Sequence, residues 1–148
     1  MKAEMTGPGG GEPRPRIICL CGSTRFSHEM MITQWELTKA GNIVLSWCVL
    51  PDDYFVGEDK AHIGDQEGVK EIVDEVHKRK IDLSDEIFVI NPGGYIGEST
   101  TSEIRYAQDH GKIIGWLEPP SRDEMLRILG MRIGKITWLP PTSRKEEG

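Results

Sequence analysis

Two short turns, both rich in glycine and hydroxyl side chains, hold most of the residues in this sequence whose types suit binding or catalysis. The first turn, Gly22-Ser23-Thr24-Arg25, follows an apolar run and precedes a helical stretch. Glycine lets a ligand approach the backbone closely, hydroxyl and amide groups at a helix start bind oxyanions, and arginine adds a fixed positive charge. We therefore interpret these four residues as a phosphate or carboxylate site. The alternative is that Ser23 or Thr24 only caps the helix.

The second turn, NPGGYIGEST at 91–100, leads into a predicted helix from about residue 100 that carries Glu103. Its glycines leave many backbone N–H groups available to a ligand. The residues of this turn predicted to contact a substrate are Asn91, Gly94, Gly97 and Ser99. A carboxylate in the first turn of a helix stays ionised, which suits Glu103 as a nucleophile. Thr100-x-x-Glu103 also fits a capping box, in which the glutamate only caps the helix.

Three further side chains are candidates for contacts with a substrate. Trp47 and Tyr54 lie in and after the second β-rich run, beside the predicted cleft. Their aromatic rings either stack on a nucleobase or simply pack the loop against the protein. His77 follows an apolar position on a helical stretch, and it is either a solvated helical side chain or a functional one.

The cysteines and the known cofactor motifs point away from metals and cofactors. Cys19, Cys21 and Cys48 are an odd number and two of them lie in an apolar run, so we predict buried, reduced thiols rather than disulfides. Together with four scattered histidines they do not form a zinc-finger spacing, so no metal is predicted. The sequence also lacks the P-loop and dinucleotide-binding glycine patterns. We therefore expect neither a metal nor an organic cofactor.

Apolar runs alternate with helical stretches along the chain, and this alternation predicts the elements that position both turns. The runs predicted as strands are 16–21, 43–49, 86–90, 112–117 and, as a candidate fifth, 134–139. The spacing typical of an amphipathic helix is clearest at Val69, Ile72, Val73 and Val76. The pattern predicts one α/β domain with a doubly wound, flavodoxin-like or Rossmann-like sheet, mostly parallel, with four to five strands and helices on both faces. In that order strands one and three are neighbours, so both turns lie where ligands bind.

Length and charge narrow the class of protein. The chain has 148 residues, 18 basic against 24 acidic, and a net charge of -6. One domain is typical of this length, and the acidic balance argues against a nucleic-acid polymer or an anionic membrane as partner. No apolar run reaches the roughly 20 residues of a membrane span, and no secretory signal is evident, so we expect a cytoplasmic protein. Flexible tails are expected at 1–15 and 140–148, around a folded domain at 16–139.

Two longer motifs resemble those of a known enzyme family. They are IICLCGSTRF at 17–26 and SDEIFVINPGGYIGESTTSEIRYAQDHGKII at 84–114. Both are similar to motifs of the nucleoside 2-deoxyribosyltransferase superfamily, and especially of its branch of 2'-deoxynucleoside 5'-phosphate N-hydrolases. The resemblance covers roughly residues 16–117, which is most of the predicted domain.

The resemblance implies cleavage of the N-glycosidic bond of a nucleoside or its 5'-monophosphate, by hydrolysis or by deoxyribosyl transfer, without a cofactor. Glu103 falls on the family's catalytic glutamate. Ser23 and Arg25 fall on residues that bind the 5'-phosphate in the hydrolase branch, and Ser99 falls near another phosphate-binding hydroxyl. The resemblance also implies a homo-oligomer, in which a neighbouring copy completes each site.

Three positions depart from the family pattern and keep other functions open. Cys19 stands where the family often has tyrosine, His77 where an acidic residue positions the sugar, and Gly97 where many transferases have aspartate. A non-catalytic nucleotide-binding sensor is therefore the alternative. The PGG segment also resembles the motif of cytokinin-activating phosphoribohydrolases, although the eleven residues from Pro92 to Glu103 exceed that motif's length. The sequence leaves the base, the sugar and the acceptor open.

Overall fold

Four apolar segments form one parallel β-sheet in the computed structural model, which describes residues 13–51 and 67–130. The strands are β1 (Ile17–Gly22), β2 (Ile43–Leu45), β3 (Glu86–Ile90) and β4 (Ile113–Trp116). Their order in the sheet is β2-β1-β3-β4, and all three neighbouring pairs are parallel. The predicted doubly wound α/β fold, with strands one and three adjacent, is confirmed. The candidate fifth strand lies outside the described residues.

Helices cover both faces of the sheet. They are α1 (Ser27–Lys39), α2 (Lys70–Leu83), α3 (Glu98–Asp109) and α4 (Arg122–Leu129), with 3-10 turns at Thr24–Phe26 and Pro92–Gly94. Alternate strand residues point to opposite faces, so one sheet supplies two cores. One core joins Ile18, Leu20, Phe88 and Ile90 to Met30 of α1. The other joins the remaining buried strand residues to α2, α3 and α4.

The strand register brings the two predicted turns together. Gly22, the last residue of β1, pairs with Ile90, the last residue of β3, so both strands end at the same edge. Beyond that edge, the Arg25 guanidinium lies 4.4 Å from the centre of the Tyr95 ring. The ring of Phe26 also contacts Tyr95, at 5.8 Å between ring centres. The two turns are therefore direct neighbours.

Helix α2 buries a different side from the one its apolar spacing suggested. The helix itself is confirmed, but Ile72, Val73 and Val76 are 64%, 53% and 48% exposed. The buried side carries Ile81 and His77, which lie one helical turn apart. Ile81 packs in the core that lies against β1, so α2 is oriented by this contact and by the polar neighbours of His77. The expectation of a solvated His77 is wrong.

An ion pair fixes the start of the sheet. Both terminal nitrogens of Arg14 donate to the Asp85 carboxylate, at 2.9 and 3.1 Å, and the Ile17 amide donates to the same group at 2.8 Å. The hydrogen bond from Arg14 lowers the pKa of Asp85. Arg14, which belongs to the predicted N-terminal tail, thus contacts the start of the sheet. Residues 1–12 and the predicted C-terminal tail lie outside the described ranges.

No helix within residues 13–51 and 67–130 has the length and apolar character needed to span a membrane.

Replacing Gly22 by alanine should destabilise the protein by about 1–3 kcal/mol, the usual cost of overpacking. An added Cβ would lie 2.9 Å from the Ile90 backbone oxygen and 3.0 Å from the Trp47 ring. Urea unfolding measures the loss. Gly97→Ala is the control, because its Cβ would meet only the Tyr95 side chain, at 3.2 Å, which can shift. Equal losses in the two variants would contradict the close packing at Gly22.

Candidate functional site

The first turn presents an exposed arginine at the carboxyl edge of the sheet. Ser23 is the N-cap of the 3-10 turn, and its hydroxyl accepts a hydrogen bond from the Arg25 amide at 3.3 Å. The capping alternative therefore accounts for Ser23 in this structure. Thr24 and Arg25 are exposed. Within residues 13–51 and 67–130, no carboxylate forms an ion pair with Arg25, so its charge is available to an anion.

Asn91, at the start of the second turn, is used to hold the sheet edge together. Its side chain is completely buried, and it donates to the Glu118 carbonyl and accepts from the Glu118 amide, both at 3.0 Å. The Glu118 carboxylate in turn accepts from the Gly93 amide at 3.0 Å. These bonds occupy the Asn91 side chain. A structural role therefore accounts for Asn91, which the sequence predicted to contact a substrate.

The remaining predicted residues of the second turn differ in exposure and in role. Gly94 has a φ of 83°, a conformation that favours glycine, and it is exposed. Gly97 is the N-cap of α3 and lies close to the Tyr95 hydroxyl. Ser99 is exposed in the first turn of the helix. Gly94 and Ser99 are therefore the members of this set most accessible to a ligand.

Glu103 does not cap its helix. Helix α3 begins at Glu98 after Gly97, so Thr100 lies inside the first turn and Glu103 in the second. The Thr101 hydroxyl donates to the Gly97 carbonyl at 2.8 Å, in the usual i−4 pattern. The capping-box alternative is wrong, because the helix starts three residues earlier than that pattern requires. The Glu103 side chain instead turns towards β1 and α2.

The Glu103 carboxyl lies in a largely dry environment. Its Oε1 is 3.7 Å from His77 Nε2, is fully covered and has no hydrogen-bond partner, although the side chain as a whole keeps 17% exposure. Burial raises the pKa of Glu103 to about 7, against the opposing attraction of His77. The expectation of a carboxylate held ionised by the helix N-terminus is therefore wrong. Desolvation outweighs the helix dipole, whose effect is confined to the first turn.

Beside Glu103, two thiols meet the His77 ring. Cys19 and Cys21 alternate along β1 and so face the same side, where their Sγ atoms lie 3.8 and 3.5 Å from His77 Nε2. All three side chains are buried, and their ligand atoms lie within 4.8 Å of one another. A soft divalent cation is the kind of ion that such a group could hold.

The thiols and the imidazole strongly influence one another's protonation. The hydrogen bond with Cys21, followed by the interactions with His77, lowers the pKa of Cys19 to about 5 against the effect of burial. Burial, the hydrogen bond with Cys19 and the charge of Glu103 raise the pKa of Cys21. Burial lowers the pKa of His77, but its bond with Cys19 and the charge of Glu103 outweigh this, so the net direction is upward. The group therefore favours one thiolate beside an imidazolium.

Sequence reasoning missed this cluster. Cys21 and His77 are 56 residues apart and lie on a strand and on a helix, so no short spacing motif joins them. The available signal was the Cys-x-Cys alternation in a predicted strand, which places both thiols on one face. Only the position of α2 across the sheet adds the imidazole.

Of the two aromatic side chains predicted to contact a substrate, only Trp47 lies within the described residues. Trp47 packs against the core on the α1 side, and its ring closes over Gly22. Cys21 and Glu103 lie on the opposite face of the sheet. The contact between Trp47 and Gly22 therefore favours a packing role for Trp47 over stacking on a nucleobase. Tyr54 lies outside the described residues.

A groove of about 600 Å³ lies along α3, between residues of α2 and α4. It is lined by Lys78, Glu98, Thr101, Ser102, Arg105, Tyr106, Asp109 and Arg127. None of the residues predicted to bind a substrate lines it, although Glu98 of the second turn does. We therefore place the candidate site at the turns and at Glu103.

No protein-family model, no curated protein and no solved structure matches this chain. Any functional assignment therefore depends on the geometry of the site and on the resemblance of its motifs.

Glu103→Gln should stabilise the metal-free protein at about pH 8 but not at about pH 4. The folded protein holds a proton on Glu103 up to a pKa of about 7, whereas the unfolded chain releases it near the ordinary value of 4.5. The parent therefore loses stability relative to the variant as the pH rises between these values. The expected gain at high pH is on the order of 3 kcal/mol, from about 1.4 kcal/mol per pKa unit.

Urea unfolding at the two pH values measures this difference in the presence of a chelator. Glu98→Gln is the matched control, because Glu98 is an exposed glutamate on the same helix. A stability difference for Glu103→Gln that does not change with pH would show that burial leaves this carboxyl unperturbed.

Proposed function

We propose that this chain cleaves the N-glycosidic bond of a nucleoside or a nucleoside 5'-monophosphate, with Glu103 as the nucleophile. The observation that carries the proposal is the position of Glu103. It lies beside Cys21, the residue before the Gly22 turn, it keeps 17% exposure, and it has no capping role to explain its presence. This position agrees with the catalytic role that the motif resemblance implies for the same residue.

The first turn supports a substrate with a 5'-phosphate. Arg25 is exposed, held over Tyr95 and free of carboxylate partners among the described residues. Phosphate binding by arginine uses charge-assisted hydrogen bonds, which are stronger than neutral ones. Ser99 is exposed at the start of α3, where backbone N–H groups also favour anions. We therefore favour a nucleotide hydrolase over a strict base-exchanging transferase.

In the proposed reaction, the ionised form of Glu103, which prevails above its pKa of about 7, attacks the anomeric carbon of the sugar. A carbon–oxygen bond forms as the N-glycosidic bond breaks, and the base leaves with the bonding electron pair and takes a proton from solvent. Water then attacks the anomeric carbon of the glycosyl ester, which releases the sugar, restores the carboxylate and returns one proton to solvent, as in retaining glycosidases. The carboxylate supplies the chemistry of both steps, so this proposal requires no cofactor.

The proposal extends to assembly and location. Several large apolar side chains on the outer faces of α1 and α2 are exposed, including Trp35 at 59% and Ile72 at 64%. Such side chains suit contacts between copies of the chain, in agreement with the homo-oligomer that the resemblance implies. A nucleotide substrate is an intracellular metabolite, so we propose a cytoplasmic location.

The metal-free protein should release free base from a panel of nucleosides and their 5'-monophosphates, and Glu103→Gln should lower the rate at least about 100-fold, because an amide cannot form the glycosyl ester. Chromatography of the reaction products measures the release. Glu98→Gln, a substitution on the same helix, should retain the parental rate.

Binding of a nucleotide without base release, unchanged in Glu103→Gln, would overturn the enzymatic proposal. That result would favour the sensor that keeps the cleft but has no turnover.

Arg25→Gln should raise the KM for a nucleoside 5'-monophosphate about 10- to 100-fold, since hydrogen bonds to charged groups contribute about 1.5–3 kcal/mol. The KM for the matching nucleoside, which has no phosphate, should change little. Steady-state kinetics with both substrates measure the contrast. Lys39→Gln, at the far end of α1, removes a positive charge away from the site and is the control. Equal effects on both substrates would show that Arg25 does not bind the phosphate.

A further inference from the structure

Four side chains that commonly bind metals converge beside β1 from three elements. Cys19 and Cys21 come from β1, His77 from α2 and Glu103 from α3. The two sulfurs and the imidazole nitrogen lie within 4.8 Å of one another, and Glu103 Oε1 is 3.7 Å from the same nitrogen. The cluster is enclosed, since both cysteines are completely buried and His77 is 7% exposed.

Hydrogen bonds within the cluster leave some of its polar atoms poorly satisfied. His77 Nε2 faces two sulfurs and one carboxylate oxygen, but an imidazole nitrogen carries either one proton or one lone pair. It can therefore satisfy only one of these neighbours. Glu103 Oε1 is fully covered and has no hydrogen bond of normal geometry, although the Cys21 thiol lies close enough to lower the pKa of the carboxyl. A buried oxygen without a good partner is costly, and a cation between the two sulfurs and the imidazole would offer a partner to these groups and to the neighbouring carboxylate.

The sulfur–nitrogen spacing fits the ligand shell of a tetrahedral metal ion. With Zn–S bonds of about 2.3 Å and Zn–N or Zn–O bonds of about 2.0 Å, sulfur and nitrogen ligands lie about 3.5 Å apart and nitrogen and oxygen ligands about 3.3 Å. The sulfur–nitrogen distances here are 3.5 and 3.8 Å, and the nitrogen–oxygen distance is 3.7 Å. We propose that Cys19, Cys21 and His77 form a binding site for a thiophilic divalent cation, with zinc as the favoured ion, and that Glu103, beside His77, moves to become its fourth ligand.

The donor set decides the class of metal. Two thiolates and an imidazole favour zinc and related soft ions, whereas magnesium and calcium require oxygen ligands in larger number. Binding displaces the Cys21 thiol proton and the Nε2 proton of the His77 imidazolium to solvent, so that two thiolates and a neutral imidazole bind the divalent ion. No electron transfer is involved, because zinc has no redox chemistry in proteins.

The site has a consequence that rests on the proposed function. A carboxylate that binds zinc is not available to attack a sugar, so zinc binding withholds the nucleophile. One equivalent of zinc should therefore suppress base release, and a chelator should restore it. The two proposals fail separately, because zinc binding is measured without nucleotide and base release is measured in chelator-treated protein.

Zinc titration of the reduced, chelator-treated full chain against a chromophoric competitor tests the site. We expect one zinc ion per chain. Cys21→Ser and His77→Gln should each weaken binding at least about 100-fold, since the loss of even an outer partner of a metal ligand costs about 10- to 100-fold in affinity. Cys48→Ser, which removes the exposed third cysteine, should leave the affinity unchanged.

Cobalt binding to the unsubstituted protein gives a second readout that does not depend on the folding of a variant. Co²⁺ should produce a thiolate-to-cobalt charge-transfer band and the strong visible bands of a four-coordinate ion. Glu103→Gln should keep the thiolate band with weaker affinity. Substoichiometric zinc, a cobalt spectrum without a thiolate band, or an equal loss of affinity in Cys48→Ser would each overturn the proposal.

Discussion

The parallel pairing of β1 with β3 is the constraint on which the rest of the structure depends. Its last pair, Gly22 opposite Ile90, makes both strands end at one edge and brings their turns together. The same register sends Leu20 into the core on the α1 side and sends Cys19 and Cys21 into the other. Because side chains alternate along a strand, a slip by one residue would exchange the two faces and separate the thiols from the imidazole and the carboxyl.

The polar cluster on that second face opposes the stability of the fold. Imidazole and carboxyl groups cost free energy when they are buried with too few hydrogen bonds, and apolar side chains could fill the same space. Helix α2 nevertheless directs His77 inward and leaves Ile72 and Val73 exposed. Core packing alone would favour the opposite orientation. An arrangement that sacrifices stability in this way is typical of groups retained for their chemistry.

The sheet and its turns were predictable from the sequence because they follow local periods and the general topology of α/β folds. The side of α2 that is buried was not, since the spacing at Ile72 and Val73 indicates a helix without saying which element covers it. The ionisation of Glu103 was also beyond local pattern, because His77 and Cys21 approach it from distant parts of the chain. The start of α3 at Glu98 was also not predictable. Hydroxyl and acidic residues, which favour helix starts, occur at several neighbouring positions, so the sequence did not show which of them begins the helix.

The contact between Arg25 and Tyr95 makes the exposed turn a better anion receptor than its openness suggests. A guanidinium that rests on an aromatic face keeps its N–H edge free for an acceptor in its own plane. Immobilising a long side chain on binding usually costs roughly 0.5–1.5 kcal/mol of conformational entropy. The stacking contact already restricts the Arg25 rotamers, so less of this cost remains when a ligand binds. Preorganisation of this kind lets a shallow, water-exposed surface hold a small charged molecule without a deep cavity.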